Sequence, residues 1–206
     1  MTKRRTAQPG IDAAPPTPRR AFAARDLALI ASFAALTAVL AVAPPVSVPG
    51  NPVPITLQSL GVMLAGAVLG WKRGAAAIAL MLLVGLLGVP VLPGGRPVLQ
   101  ALGGQTAGYL VGWIVGAGVV GALVQLRLPR VPPWWVALSC LVGGIVIVYL
   151  FGVPVAATRA QTPVPAMLAA SAAFLPGDVL KALVATVVAS AVNRGVPDLT
   201  APLRRR

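Results

Sequence analysis

The run from about Val164 to Val192 is apolar except for one carboxylate and one ammonium, Asp178 and Lys181, and it constrains this chain more than any other stretch. A helix needs about 20 consecutive apolar residues to cross the hydrocarbon core of a bilayer. A charge at the centre of such a helix costs roughly 2.5–3.5 kcal/mol on insertion scales, so two uncompensated charges would oppose insertion. Spaced three residues apart, Asp178 and Lys181 return to one helical face and can pair. Two readings follow. The pair is either a structural ion pair that fixes one helix against its neighbours, or a polar anchor for a solute entering a membrane cavity.

The rest of the chain supports a membrane protein. Its 206 residues are 57% hydrophobic and 10% charged, with a mean hydropathy of +0.87, too apolar for a soluble domain. The length suits one bundle of helices and leaves no room for a second large domain. A net charge of +13 raises the question of nucleic acid. The arginines, however, sit at the ends of apolar runs and form no basic face interleaved with aromatics, so no nucleic-acid partner is expected. With no His, no Glu and one Asp inside a run, hydrolytic acid/base pairs and metal clusters have little raw material, and neither an enzyme nor a metal site is expected. The lone Cys140 can make no intrachain disulfide and reads as a small core residue.

Six apolar spans are expected, from about Asp26 to Ala43, Ile55 to Gly70, Ala75 to Val89, Gly104 to Val124, Trp134 to Val153, and Val164 to Val192. Before them, residues 1–24 are rich in Lys, Arg and Pro and read as a disordered basic tail. A cleaved signal peptide is not expected there, because the following apolar stretch is too long for an h-region. Residues 198–206 read as a second basic tail, leaving 25–197 as the membrane domain. The proline-rich stretch from Pro44 to Pro54 stops helix formation and forms a structured or capping loop. A glycine-rich loop with Arg96 is expected over Leu92–Gly103, and a polar loop over Pro154–Pro165. In the first span Ala31/Ala35 and Ala34/Ala38 form small-residue ridges that let another helix approach closely, in this chain or another. Gly104, Gly108, Gly112 and Gly116 form a barer ridge on the fourth.

Charge sets the expected orientation. Fourteen basic residues fall on one side of a six-span topology, Lys72, Arg73, Arg127, Arg130 and Arg194 among them, against Arg96 and Arg159 on the other. The positive-inside rule then places both termini in the cytoplasm. In that topology Thr56 and Gln58 open the second span at its outer end, Gln105, Thr106 and Tyr109 open the fourth, Arg96 lies in an outer loop, and Asp178 is a few turns from the outer end of the sixth. These residues can converge on an outward-facing pocket. There is no Gly-Lys-Ser/Thr phosphate loop, so the chain does not hydrolyse ATP itself, and it is short for a transporter of two inverted repeats.

The residues that carry these features resemble a known family. Asn51-Pro52-Val53-Pro54-Ile55-Thr56-Leu57-Gln58-Ser59-Leu60, Leu64 to Gly74, Gly85-Leu86-Leu87-Gly88-Val89-Pro90-Val91, Gly104-Gln105-Thr106-Ala107-Gly108-Tyr109-Leu110-Val111-Gly112 and Phe174-Leu175-Pro176-Gly177-Asp178-Val179-Leu180-Lys181 look like the BioY family, the biotin-binding S component of energy-coupling-factor transporters. The resemblance runs from about Arg25 to Pro197. It implies an all-α six-helix S-component bundle in a bacterial-type cell membrane, binding biotin from outside with high affinity. Delivery inward would need a transmembrane coupling protein and two ATPase subunits, although some family members occur without dedicated partners. Biotin would be a transported ligand and no cofactor is implied. By the same resemblance Asp178 and Lys181 contact the vitamin, Thr106, Gly108 and Tyr109 line the pocket, and Ala31 and Ala35 face the coupling protein. Arg96 suits the ligand's carboxylate by charge and side alone. The family usually has Pro and Gly where this chain has Gln105 and Ala107, and often an aromatic where it has Leu92. An S component for another small vitamin, and a scaffold that transports nothing, are the alternatives; the sequence is compatible with the chain acting alone, as a homo-oligomer or with partners.

Overall fold

The computed structural model describes residues 24–48 and 51–201, so the expected N-terminal tail lies outside it apart from Ala24, as do residues 202–206. The described chain is almost entirely helical. It comprises α1 (Ala24–Val39), strands β1 (Val46–Val48) and β2 (Asn51–Ile55), α2 (Gln58–Leu69), α3 (Trp71–Leu86), α4 (Val98–Gly103), α5 (Ala107–Gln125), α6 (Pro133–Leu141), α7 (Val148–Arg159), α8 (Val164–Ser171) and α9 (Leu175–Gly195). A π-helical segment, Val142–Ile147, joins α6 to α7, and a 3₁₀ turn, Ala172–Phe174, joins α8 to α9. Three continuous rods are long and apolar enough to cross a membrane: Ala107–Gln125, Pro133–Arg159 and Val164–Gly195.

Helix α5 is the hub, packed against α2, α3 and α7. The glycine ridge explains how. A Cβ on Gly112 would stand 3.0 Å from the backbone of Val148, and one on Gly116 would stand 2.5 Å from the carbonyl oxygen of Gly143. At Gly108 a Cβ would run into the Phe151 carbonyl oxygen and Val155. Helix-on-helix contact this close is available only to residues without side chains. Gly104 precedes α5 and takes no part in the contact.

Four expectations change. The Pro44–Pro54 loop is an antiparallel hairpin with Val46 opposite Ile55 and Val48 opposite Asn51; its prolines are tolerated because a two-stranded ribbon leaves outward N–H positions unpaired. The Leu92–Gly103 loop contains a 3₁₀ turn (Pro93–Gly95) and α4. The fifth rod does not stop before Pro154 but continues to Arg159, since a proline inside a long apolar helix removes one backbone bond without ending it. Finally, Arg73 is not a loop cation. It is 1% exposed in α3, its Nε lies 3.1 Å from Asp26 Oδ1 on α1, and its Nη2 donates to the Ala201 carbonyl at 3.0 Å.

That last contact belongs to a clasp at the end of the bundle where α2 turns into α3. The turn is Gly70, whose φ of 77° a side chain would strain. Thr200 is fully buried beside it, its one hydroxyl proton shared between Val68 O at 2.8 Å and Asn193 Oδ1 at 2.7 Å, while Gln125 donates to the Thr200 carbonyl at 2.7 Å. Residues 198–201 are therefore packed onto the bundle, although the sequence reads them as tail.

Candidate functional site

At the opposite end of α2 lies a narrow cavity of about 70 Å³ that widens into an open mouth. Four segments form its walls and cover, and α9 closes it. Helix α5 contributes Thr106, Tyr109, Leu110 and Trp113, spaced three and four apart so that they share one face. The glycine ridge lies roughly a third of a turn round the same helix, at 100° per residue, so one helix presents a bare face to α7 and a ligand-sized face to the cavity. The π segment places Gly144 in the wall, and Val148 and Tyr149 follow it there. Such segments recur at functional sites because the wider turn re-aims the residues after it. Leu92, Pro93 and Arg96 around the 3₁₀ turn, together with Val53 to Thr56 of the hairpin, form the remaining wall and the cover.

The first turns of α9 supply the charges. Lys181 Nζ donates to Asp178 Oδ1 at 2.8 Å and to Ser59 Oγ at 3.0 Å. Tyr149 donates its hydroxyl to the other oxygen, Asp178 Oδ2, at 2.7 Å. Asp178 and Lys181 are 6% and 7% exposed. A buried pair is sustained only when hydrogen bonds satisfy the remaining lone pairs and protons, which Tyr149 and Ser59 do here. Around it stand three rings at near right angles: Tyr149 with Tyr109, centroids 6.4 Å apart, and Tyr149 with Phe174, 6.5 Å apart. Edge-to-face contact fixes the orientation of the wall. The Tyr109 hydroxyl lies 3.3 Å from Ser171 Oγ, which itself donates to the Met167 carbonyl.

Of the residues singled out in the sequence, Asp178, Lys181, Tyr109, Thr106, Thr56 and Arg96 line this cavity. Gly108 does not, because it faces α7. Gln58 is fully buried on the other side of α2, its amide donating to the carbonyls of Val91 at 2.8 Å and Thr37 at 3.2 Å, so it ties α1 and the segment after α3 to α2. Gln105 is half-buried just before α5 and outside the lining. Sequence reasoning missed Tyr149, Phe174, Ser59 and Trp113. Phe174 and Ser59 lie inside the segments that resemble the family, but Tyr149 lies in an apolar run with no local signal, and only tertiary packing brings it to Asp178. On α1, Ala31 and Ala35 are exposed while Ala34 is buried, so one of the two ridges packs inward and the other faces out. Among the described residues no group of His, Cys, Asp and Glu side chains is arranged to hold a metal.

The arrangement offers donors and acceptors to a neutral cyclic amide and aromatic and aliphatic walls to an apolar body. Known proteins resemble the chain in sequence and in fold. The protein is 46% identical over 182 residues to the biotin transporter BioY of Rhizobium etli, covering 86% of this chain and 97% of that protein. It is 43% identical over 184 residues to the biotin transporter BioY of Rhodobacter capsulatus, covering 84% and 96%. In three dimensions it superposes with a TM-score of 0.77 and 26% identity on the crystal structure of the S-component for biotin from an ECF-type ABC transporter, covering 82% of this chain and 91% of that one. The model of the BioY family matches residues 13–198, beginning inside the stretch read as a tail. The chain belongs to the BioY family.

Proposed function

We propose that this protein is the membrane-embedded biotin-binding subunit of an ECF-type transporter, and that the cavity beneath the β1–β2 hairpin is where biotin binds. The observation that carries the reading is the buried Asp178–Lys181 pair opening onto an aromatic-walled cavity in a chain of this family. The ureido ring of biotin has two N–H donors and one carbonyl acceptor. Asp178 accepts from the ring and Lys181 donates to it, while Tyr149 and Ser59 hold the pair in place. The bicyclic body lies against Tyr109, Trp113 and Phe174. Arg96, half-buried across the lining, suits the carboxylate of the valeryl chain, and Thr56 and Thr106 supply further polar contacts. Gly108, Gln58 and Gln105 act at one remove, through helix packing and loop position.

The membrane topology follows from charge. Three rods meet the length and apolarity of a crossing, and α1, α2 and α3 complete a multi-pass six-span bundle in the cell membrane if each short rod also crosses. The fourteen-to-two distribution of basic residues supports N-in and C-in, with the cavity loading from outside. Without a nucleotide-binding motif, the subunit itself hydrolyses nothing and depends on a coupling protein and two ATPase subunits for energy. The outward-facing Ala31/Ala35 ridge of α1 gives the coupling protein a surface for close helix contact. The family is one of transport subunits, so the protein is not an enzyme.

The test is a melting titration of the detergent-purified protein with biotin, and with a second vitamin of similar size as control. A ligand at 100 times its dissociation constant stabilises the native state by about 2.7 kcal/mol. A shift specific to biotin is expected. An equal shift with the control vitamin would reassign the ligand, and no shift in folded protein would leave the scaffold reading in possession.

A further inference from the structure

A second cavity, of about 360 Å³, opens at the far end of the bundle from the first, between the turn after α5 and the last turns of α9. Its polar lining is Arg130, Ser190, Asn193 and Arg194, and none of its lining residues is acidic. Asn193 is already engaged, donating to Ala67 O at 3.3 Å and accepting from Thr200. Arg194 uses Nε to donate to Ser190 O at 3.1 Å, which leaves its two Nη groups without an acceptor among the described residues. Among those residues neither Arg130 nor Arg194 pairs with a carboxylate. Ser190 is 5% exposed, and its hydroxyl has no hydrogen-bond partner among the described residues, which is rare for a buried polar group. Pro132, the residue that caps the N-terminus of α6, lies in the same wall, so the positive end of that helix borders the cavity too.

Depth identifies the kind of anion. Two apolar rods begin or end within a few residues of the cavity, at Pro133 and Gly195, and α5 ends at Gln125. Beside it Arg127 lies 5.7 Å from the ring of Trp134 and 4.6 Å from that of Trp135, and indole rings favour the membrane interface. On α9, Leu183 and Val187 precede Ser190 and Arg194 on the same face and are 54% and 69% exposed, an apolar track leading from the cavity toward the bilayer centre.

We propose that this cavity binds the phosphate of an anionic phospholipid headgroup, with Arg130 and Arg194 as the charged clamp, the Ser190 hydroxyl as a third donor, and an acyl chain along Leu183 and Val187. A phosphate diester offers only acceptors, which is what two guanidinium groups and an unpaired hydroxyl require. A zwitterionic headgroup brings its own cation among the arginines and is disfavoured. The proposal rests on the reading that the long rods cross the bilayer, and it is independent of the biotin cavity.

The experiment titrates the full-length, delipidated protein in detergent with phosphatidylglycerol, with phosphatidylcholine of the same acyl chains, and with inorganic phosphate, reading the melting temperature in each case. Phosphatidylglycerol raises it saturably and phosphatidylcholine does not. R130Q, at a side chain that bonds to none of the described residues, raises the half-saturating lipid concentration about fivefold, the equivalent of about 1 kcal/mol per basic residue at the membrane surface. S190A raises it too, while biotin binding measured on the same samples stays unchanged in both variants. Equal stabilisation by both lipids, or a wild-type lipid response in R130Q and in the R130Q/R194Q double variant, overturns the proposal. Stabilisation by inorganic phosphate equal to that by the lipid overturns the lipid as the source of the anion.

Discussion

Tyr149 donates its hydroxyl to Asp178 Oδ2 at 2.7 Å from a helix that the sequence marks only as apolar. The bond matters because Lys181 and Ser59 both lie on the side of the other carboxylate oxygen. With both oxygens held, the carboxylate cannot rotate, and its free lone pairs point in fixed directions. A rigid acceptor loses less entropy on binding than a mobile one. Tyr149→Phe keeps the ring contacts with Tyr109 and Phe174 but leaves Asp178 Oδ2 without its donor, and is expected to weaken biotin binding by about 1 kcal/mol, roughly fivefold, and to lower the melting temperature of the unliganded protein. Calorimetric titration of the variant decides it, and an unchanged affinity removes Tyr149 from the site.

Asp178→Asn and Lys181→Ala each strand a buried partner. Each is expected to cost at least 1–3 kcal/mol in biotin affinity, about 5- to 150-fold. The double variant Asp178→Asn/Lys181→Met removes both charges together, so its melting temperature is expected to recover relative to Lys181→Ala while biotin binding stays lost. Equal biotin affinity in the wild type and both single variants would refute the site.

Arg96 separates the two ends of the ligand. Arg96→Ala is expected to reduce affinity for biotin by about 1.5–3 kcal/mol, as for hydrogen bonds to charged groups, and to leave affinity for biotin methyl ester near the wild-type value for that ester. Parallel titrations with acid and ester check this. A loss of equal size for both ligands would mean that Arg96 shapes the cover and does not contact the carboxylate.

At Gly108 the prediction is about packing. A Cβ there meets the Phe151 carbonyl oxygen and Val155, so Gly108→Ala forces α5 and α7 apart at a cost of about 1–3 kcal/mol in stability. Biotin affinity of the folded fraction is expected to change little. A variant that melts like the wild type but binds biotin poorly would return Gly108 to the cavity wall.

The clasp at the far end yields a fifth expectation. Arg73→Gln breaks a buried ion pair with Asp26 and is expected to destabilise by about 3–5 kcal/mol. Thr200→Val removes the donor to Val68 O and Asn193 and costs about 1–3 kcal/mol. Melting curves of the two variants give the comparison, and a Thr200→Val protein as stable as the wild type would show that the 198–201 segment is not held by its buried hydroxyl.

Much of this protein is legible without coordinates. Apolar runs punctuated by proline, glycine and arginine announce a helical membrane bundle, because a long continuous apolar run can satisfy its backbone polar groups within itself in a bilayer only as a helix, whereas barrel strands would alternate apolar and polar. Asp178 and Lys181 are conspicuous because two charges in an apolar run must have a use. The four-residue glycine spacing on α5 announces a close helix contact, though not its partner. What misleads is the reading of single residues in isolation. Pro154 looks like a helix end and is not, and Arg73, beside Lys72 at a helix boundary, looks like one more topological cation and is the buried centre of a clasp.

Sequence alone thus determined the class of fold, the motif of the charged pair and six of the residues around the cavity, because each rests on local composition or on spacing within one helix. Tertiary structure decided which faces meet. Only packing could bring Tyr149 to Asp178, turn Gly108 toward α7 and Gln58 away from the cavity, and fold Thr200 back against Val68, since those contacts join residues 21 to 132 positions apart. The periodicity of a helix fixes which residues share a face, and it is the neighbouring helix, absent from the local sequence, that fixes what the face is for.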